Sequence, residues 1–189
     1  MEQRQELLTV EHLTKSYDGK GKALHDVSLS LGRGEFVTVI GPSGAGKSTF
    51  LRCINRLIDA SEGSIVFGGR EITSMNKRQM RKVRRDIGMI FQHYNLVHRA
   101  TAIENVLQGR LGYLSDFRGI FGLYSEEDKR SAFELLDKMG LAEFAYQRAD
   151  QLSGGQQQRV GIARALVQDP LLMPVSYTHL RAHETLSDL

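Results

Sequence analysis

The arrangement of apolar and polar residues predicts a β-rich first part of the chain followed by a helical part. Apolar segments at residues 7–13 and 23–31 predict two strands joined by a turn at Asp18-Gly19. Apolar and polar residues alternate in Val27-Ser28-Leu29-Ser30-Leu31, as in an antiparallel strand with one exposed face. Residues 63–69 and 87–91 predict further strands.

A segment of apolar, β-branched residues at 35–40 predicts a buried strand, and residues 49–57 predict a helix. The turn between them fits the pattern G-x-x-x-x-G-K-[ST] and consists of Gly41, Pro42, Ser43, Gly44, Ala45, Gly46, Lys47 and Ser48, with Thr49 next. Between a strand and a helix, this pattern indicates a phosphate-binding loop. The alternative is a glycine-rich turn with a chance lysine, and the flanking elements argue against it.

The composition of this loop suits the binding of a nucleotide. Glycines let backbone N–H groups turn inward around phosphate oxygens, and the helix N-terminus adds partial positive charge. Lys47 is expected to reach the β- and γ-phosphates, and the hydroxyl of Ser48 is expected to bind Mg²⁺. The sequence thus predicts a nucleotide site at residues 41–49.

The second half of the chain has helical patterns. Residues 102–111 and 125–139 predict two helices. Ser125 caps the second, acidic residues fill its first turn, and Gly140 ends it. We interpret residues 95–151, with the aromatic and glycine-rich stretch at 112–124, as a helical insertion in an α/β core.

Composition narrows the class of protein. The chain has 189 residues, of which 41% are hydrophobic and 25% charged, as expected for one globular domain. Cys53 is the single cysteine, which excludes an internal disulfide and suits a reducing cytosol. No apolar run approaches the roughly 18 residues of a membrane span, and the polar N-terminus lacks a signal-peptide pattern, so any work at a membrane requires a partner.

A second motif, Leu152-Ser153-Gly154-Gly155-Gln156, precedes a predicted helix at residues 160–168. With the phosphate-binding loop upstream, the chain resembles the ATP-binding subunit of ABC transporters over about residues 5–172. The resemblance implies an α/β fold: a P-loop NTPase core with an antiparallel β subdomain and a helical subdomain at about 95–151. It also implies that ATP and Mg²⁺ are bound by the loop and by Ser153, Gly154, Gly155 and Gln156.

The resemblance implies roles for two further residues. Tyr17 would stack on adenine, the alternative being a tyrosine packed at a strand end. Gln92 would contact Mg²⁺ or the attacking water and relay the nucleotide state, the alternative being a solvated loop glutamine.

The partners are likewise implied by the resemblance. Two copies would pair head to tail, with Ser153 and Gly155 of one facing the γ-phosphate held by Lys47 of the other. Such a pair would lie on the cytoplasmic face of the plasma membrane, attached to permease subunits that a periplasmic or lipoprotein binding protein supplies. No nucleic-acid partner is expected.

Local sequence narrows the substrate within the family. Residues 107–112, 121–124 and 144–149 resemble the ATP-binding subunits of phosphonate importers, which implies ATP-driven uptake of phosphonate or a related phosphorus oxyanion. The alternatives are an ATPase for polar amino-acid import and a soluble, non-transport ABC ATPase.

A basic run lies at residues 77–85. We favour a solvated helix face over a nucleic-acid patch, because no aromatic residues are interleaved with Lys77, Arg78, Arg81, Lys82, Arg84 and Arg85.

The chain departs from the family after Pro170, where an apolar strand should end in an Asp-Glu pair that holds Mg²⁺ and positions water. Here the segment reads Leu171-Leu172-Met173-Pro174-Val175-Ser176, and proline is not expected in a central strand. We expect a chain that is incomplete at its C-terminus, with a non-native tail at 173–189, that binds ATP without hydrolysing it. His179, His183 and Glu184 in this tail are not expected to form a metal site.

Overall fold

The computed structural model describes residues 6–17, 21–91 and 94–176. Four antiparallel strands form one sheet in the order β2-β1-β3-β4. Their bounds are β1 (Glu6–Ser16), β2 (Lys22–Gly32), β3 (Glu62–Phe67) and β4 (Arg70–Glu71). The predicted hairpin is thus present, and residues 63–69 contribute the third strand as expected.

Six α-helices lie in the described part of the chain. They are α1 (Lys47–Ile54), α2 (Lys77–Val83), α3 (Ala102–Leu107), α4 (Asp116–Ile120), α5 (Glu126–Lys138) and α6 (Gly154–Leu166). Short 3-10 helices at Gln108–Tyr113, Ala142–Phe144 and Ala149–Gln151 connect them. None of the described helices is long and apolar enough to cross a membrane.

Local capping explains where α5 and α6 begin. The side chain of Ser125 accepts a hydrogen bond from the Asp128 N–H, and that of Ser153 accepts one from the Gln156 N–H. α6 therefore starts six residues before the predicted helix. The predicted helix at 102–111 changes to 3-10 geometry after Leu107. There a Cβ on Gly109 would lie 2.3 Å from the Arg164 carbonyl oxygen, so α6 packs directly against backbone.

Two apolar cores form. The first joins the sheet to α1 and α2 and contains Leu8, Val10, Phe50, Cys53, Ile65 and Met80. The second joins α3, α5 and α6 and contains Val106, Ala132, Leu136, Val160 and Ala163. The end of α6 leads back toward the first core, because the residues after it pair with residues 86–90.

The predicted buried strand at residues 35–40 is wrong. These residues form no strand, and the side chains of Phe36 and Ile40 are 84% and 87% exposed. A strand needs neighbours that satisfy its backbone N–H and C=O groups, and apolar composition alone does not supply them. The parallel bridges in the described residues join segments 87–90 and 172–175 to each other, and neither segment pairs with residues 35–40.

Residues 171–176 form no continuous strand, but the residues around Pro174 form a short parallel ladder with residues 87–90 through isolated bridges. The N–H of Gly88 donates to the Leu172 carbonyl at 2.9 Å, and that of Ile90 donates to the Pro174 carbonyl at 3.0 Å. The N–H of Ser176 in turn donates to the Ile90 carbonyl at 3.1 Å. In this register residue 174 would donate to Gly88, and proline has no N–H, so one hydrogen bond of the ladder is lost.

Candidate functional site

Two of the three glycines of the phosphate-binding loop have backbone conformations that other residues rarely adopt. Gly44 has φ 83° and Gly46 has φ 85°, both in the left-handed region. Gly46 also caps α1 in close contact with β2, since a Cβ at this position would lie 2.2 Å from the Ala23 carbonyl oxygen. The loop is therefore fixed against the sheet at the point where α1 begins.

Lys47 points back onto the loop that precedes it. Its Nζ donates hydrogen bonds to the carbonyl oxygens of Gly41 at 2.5 Å and Pro42 at 2.8 Å. The N–H of Ala45 donates to the same Pro42 carbonyl at 3.2 Å, which closes the turn. Residues 41–45, including Ser43, are exposed, and 46–49, including Thr49, are partly exposed. A cationic, solvent-accessible cradle of this kind suits a polyphosphate anion.

Ser48 faces a second hydroxyl from a distant part of the chain. Its Oγ lies 3.2 Å from the Oγ of Ser176, at the end of the parallel ladder. Ser176 thus occupies the end of the apolar segment, where the family resemblance implies an aspartate. In the described residues no group of three or more His, Cys, Asp or Glu side chains is arranged to hold a metal. Mg²⁺ prefers carboxylate ligands, and Ser176 supplies a neutral hydroxyl in that place, so the described residues provide only part of the magnesium site in which Ser48 was expected to take part.

Tyr17 follows β1 and is 44% exposed. The ammonium of Lys15 lies 5.1 Å from the centroid of its ring, a cation–π contact. An exposed aromatic ring offers a surface for stacking, and its contact with adenine stays a prediction. Gln92 is the second residue to which the family resemblance assigns a role. It lies outside the described residues, so its contact with Mg²⁺ or water also stays a prediction.

The second glycine motif lies at the exposed start of α6. The N–H of Ser153 donates to Gln156 Oε1 at 2.8 Å, and the N–H of Gln156 donates to Ser153 Oγ at 3.3 Å. A Cβ on Gly154 or Gly155 would meet nothing within 4 Å. The described chain therefore presents this motif on an open surface, and its approach to the loop of a second copy stays a prediction.

The basic run on α2 is not a uniformly solvated face, which corrects the sequence interpretation. Arg84 Nε and Nη2 donate to the carbonyl oxygens of Asn55 and Arg56 at 3.1 and 2.6 Å, just after α1. Arg81 donates to the Leu114 carbonyl at 2.7 Å, and Arg85 to the Gly112 carbonyl at 2.8 Å. Nothing in the sequence pattern distinguishes these three arginines from exposed Lys77 and Arg78, because their carbonyl partners are distant in sequence.

A second network joins the helical insertion to the end of α6. Arg110 Nε donates to Asp128 Oδ1 at 2.8 Å, and its guanidinium lies 4.1 Å from the centroid of the Tyr113 ring. The hydroxyl of Tyr113 donates to the Gln168 carbonyl at 2.9 Å. Burial by itself would raise the pKa of Asp128, but hydrogen bonds from Ser125 and Arg110 outweigh it and lower the pKa below its usual value.

Together the phosphate-binding loop, the glycine motif on α6 and the antiparallel sheet define an ATP-binding cassette. The sequence profile described as "ABC transporter" matches residues 24–174, and the chain belongs to this family. Structures in the same class include a dimeric bacterial ABC transporter cassette, with TM-score 0.79 and 37% identity over 89% of this chain and 73% of that one. Another is a cassette in a post-hydrolysis state bound to ADP and Pi, with TM-score 0.77 and 38% identity over the same shares of each chain.

Similar curated proteins carry a more particular name. "Phosphonates import ATP-binding protein PhnC 2" of Oceanobacillus iheyensis is 59% identical over 88% of this chain and 66% of its own length. A protein named "Phosphonates import ATP-binding protein PhnC" in Treponema denticola is 47% identical over 95% of this chain and 72% of its own length. The chain thus spans about two thirds of the length of these relatives.

Proposed function

We propose that this chain is the ATP-binding subunit of an importer for phosphonates or related phosphorus oxyanions. The observation that carries this assignment is the 59% identity to a protein named for phosphonates import, over 167 residues that include both glycine motifs. The exposed loop at residues 41–49 supports the nucleotide part of the proposal, because Lys47 and the N-terminus of α1 offer positive charge to phosphates.

In this proposal a pair of subunits binds ATP between the loop of one copy and the α6 motif of the other. In a subunit whose apolar segment ends in the Asp-Glu pair, as in the chimera tested below, ATP hydrolysis would then drive uptake through a separate membrane permease. The subunits would lie on the cytoplasmic face of that permease, and a binding protein outside the cell would supply the substrate. The open position of Ser153, Gly154 and Gly155 on α6 supports such a pairing, since a second chain has free access to it.

We propose that this chain itself binds ATP without hydrolysing it. Phosphoryl transfer requires an organised charge around the transferred phosphate and a positioned water. Ser48 and Ser176 offer hydroxyls where a carboxylate is needed. We therefore expect ATP to bind to the loop without being hydrolysed at a measurable rate.

The substrate assignment is tested by complementation. Residues 1–173 of this chain are joined to the remaining C-terminal part of the Oceanobacillus iheyensis relative and expressed in a strain that lacks its phosphonate-import ATP-binding subunit. We expect growth on a phosphonate as the only phosphorus source, and no growth when Lys47→Ala is introduced into the same chimera. Expression of the chimera without phosphonate growth, while it restores amino-acid uptake in a matching deletion strain, would refute the substrate assignment.

A further inference from the structure

The contact between Ser48 and Ser176 is held by well-defined elements on both sides. Ser48 lies in the first turn of α1, directly after Lys47. Ser176 ends the parallel ladder, where its N–H donates to the Ile90 carbonyl at 3.1 Å. The two Oγ atoms therefore meet at 3.2 Å because the backbone brings them together, beside the phosphate-binding loop.

Within the described residues, the charges that α1 brings to this contact are positive. The first turn of α1 has no acidic residue, and the N-terminus of the helix contributes partial positive charge. Lys47 adds a full positive charge next to Ser48. A carboxylate at position 176 would attract Mg²⁺ and, without Mg²⁺, repel the phosphates of a nucleotide. Serine at this position does neither.

We infer that this chain binds ATP as the free anion, with an affinity that does not depend on Mg²⁺, because Ser176 stands where a magnesium-binding carboxylate would be needed. This inference rests on the proposed nucleotide binding, and it adds that the bound nucleotide is free ATP rather than its complex with Mg²⁺. Lys47 and the backbone N–H groups of the loop supply the attraction, and Ser48 donates to a phosphate oxygen or to Ser176 rather than serving a bound cation.

The experiment measures the dissociation constant of ATP for the full chain by calorimetric titration, once with excess Mg²⁺ and once with EDTA. For the unchanged chain we expect the two constants to agree within about threefold, since Ser176 supplies no carboxylate that would couple the cation to the site. For Ser176→Asp we expect binding with Mg²⁺ to be at least about tenfold tighter than binding with EDTA, because a charged ligand is added. Ser176→Asn is the matched control, as it has a similar shape without the charge, and it should behave like the unchanged chain.

The outcomes separate the two proposals. If the unchanged chain binds no ATP in either buffer, the proposed nucleotide binding fails. If it binds ATP at least about tenfold more tightly with Mg²⁺, nucleotide binding stands and the present inference is overturned. A folded Ser176→Asp chain without dependence on Mg²⁺ would also overturn it, because Ser176 would then not face the phosphates. Should Ser176→Asp fail to fold, the comparison of the two buffers for the unchanged chain still decides.

Discussion

Gly46 approaches Ala23 so closely that a Cβ at position 46 would lie 2.2 Å from the Ala23 carbonyl oxygen. Gly44 has a nearly identical φ, 83° against 85°, but a Cβ there would meet nothing within 4 Å. The two glycines of one loop therefore serve different purposes. Gly44 supplies only backbone freedom, and Gly46 also lets the start of α1 contact β2.

This pair gives a prediction about stability. Gly44→Ala adds left-handed strain alone and should lower the free energy of unfolding by about 1 kcal/mol. Gly46→Ala adds the same strain and a backbone clash, and should cost at least about 3 kcal/mol. Urea unfolding of both variants measures the difference. Equal losses would mean that α1 does not contact β2 as described.

Removal of the Lys47 ammonium should weaken ATP binding without unfolding the chain. Lys47→Ala loses a charge-assisted hydrogen bond to phosphate, and we expect the dissociation constant of ATP to rise by about 10- to 100-fold, or about 1.5–3 kcal/mol. Its ammonium hydrogen-bonds the carbonyl oxygens of Gly41 and Pro42 on the exposed loop, so the urea midpoint should stay nearly unchanged. Unaltered ATP affinity in a folded Lys47→Ala chain would contradict the assignment of the loop.

Arg84, which directly follows α2, should matter more for stability than Arg78 within α2. Arg84→Ala leaves the carbonyl oxygens of Asn55 and Arg56 without their partly buried donor, and should cost about 1.5–3 kcal/mol. Arg78 is exposed, and Arg78→Ala should change stability by no more than about 0.5 kcal/mol. Urea unfolding compares the two, and similar effects would restore the interpretation of α2 as a solvated basic face.

The pKa of Asp128 makes one part of stability dependent on pH. Because the pKa is lowered in the folded state, the ionised carboxylate stabilises the fold above the unfolded pKa of about 4, and this contribution is lost as the pH falls through the folded pKa. Asp128→Asn should therefore destabilise the chain at neutral pH and have a smaller effect in acid. Asp137→Asn, at an exposed position on the same helix, is the control. A loss that is equal at both pH values would show that the charge of Asp128 is not involved.

Local signals in the sequence were sufficient for part of this structure. Ser125 caps α5 through Asp128, three positions away, as the sequence predicted. Ser153 caps α6 through Gln156 in the same way, but the predicted helix began six residues later. The segment at 35–40 was misjudged because a strand depends on neighbours that local composition does not reveal. The partners of Arg84 and Tyr113 are carbonyl groups far away in sequence, and no periodic pattern marks them.

Pro174 provides the last prediction, on the register of the parallel ladder. The bridges pair Ile87 with Leu172 and Ile90 with Val175, so an N–H on residue 174 would donate to the Gly88 carbonyl. Pro174→Ala supplies this missing donor. We expect its amide to be protected from hydrogen exchange, and we expect the same of the hydrogen-bonded amides of Gly88, Ile90 and Ser176 in the same ladder.

The gain in stability should be small, because the new hydrogen bond contributes about 1 kcal/mol while loss of proline rigidity costs about 0.4–1 kcal/mol. Hydrogen exchange is thus the sharper measurement, and the exposed amide of Phe36 serves as the unprotected reference. An amide at position 174 that exchanges as fast as that of Phe36 would show that the ladder is absent. The contact between Ser176 and Ser48 would then be lost as well, because the hydrogen bond from Ser176 to Ile90 in this ladder positions the Ser176 hydroxyl.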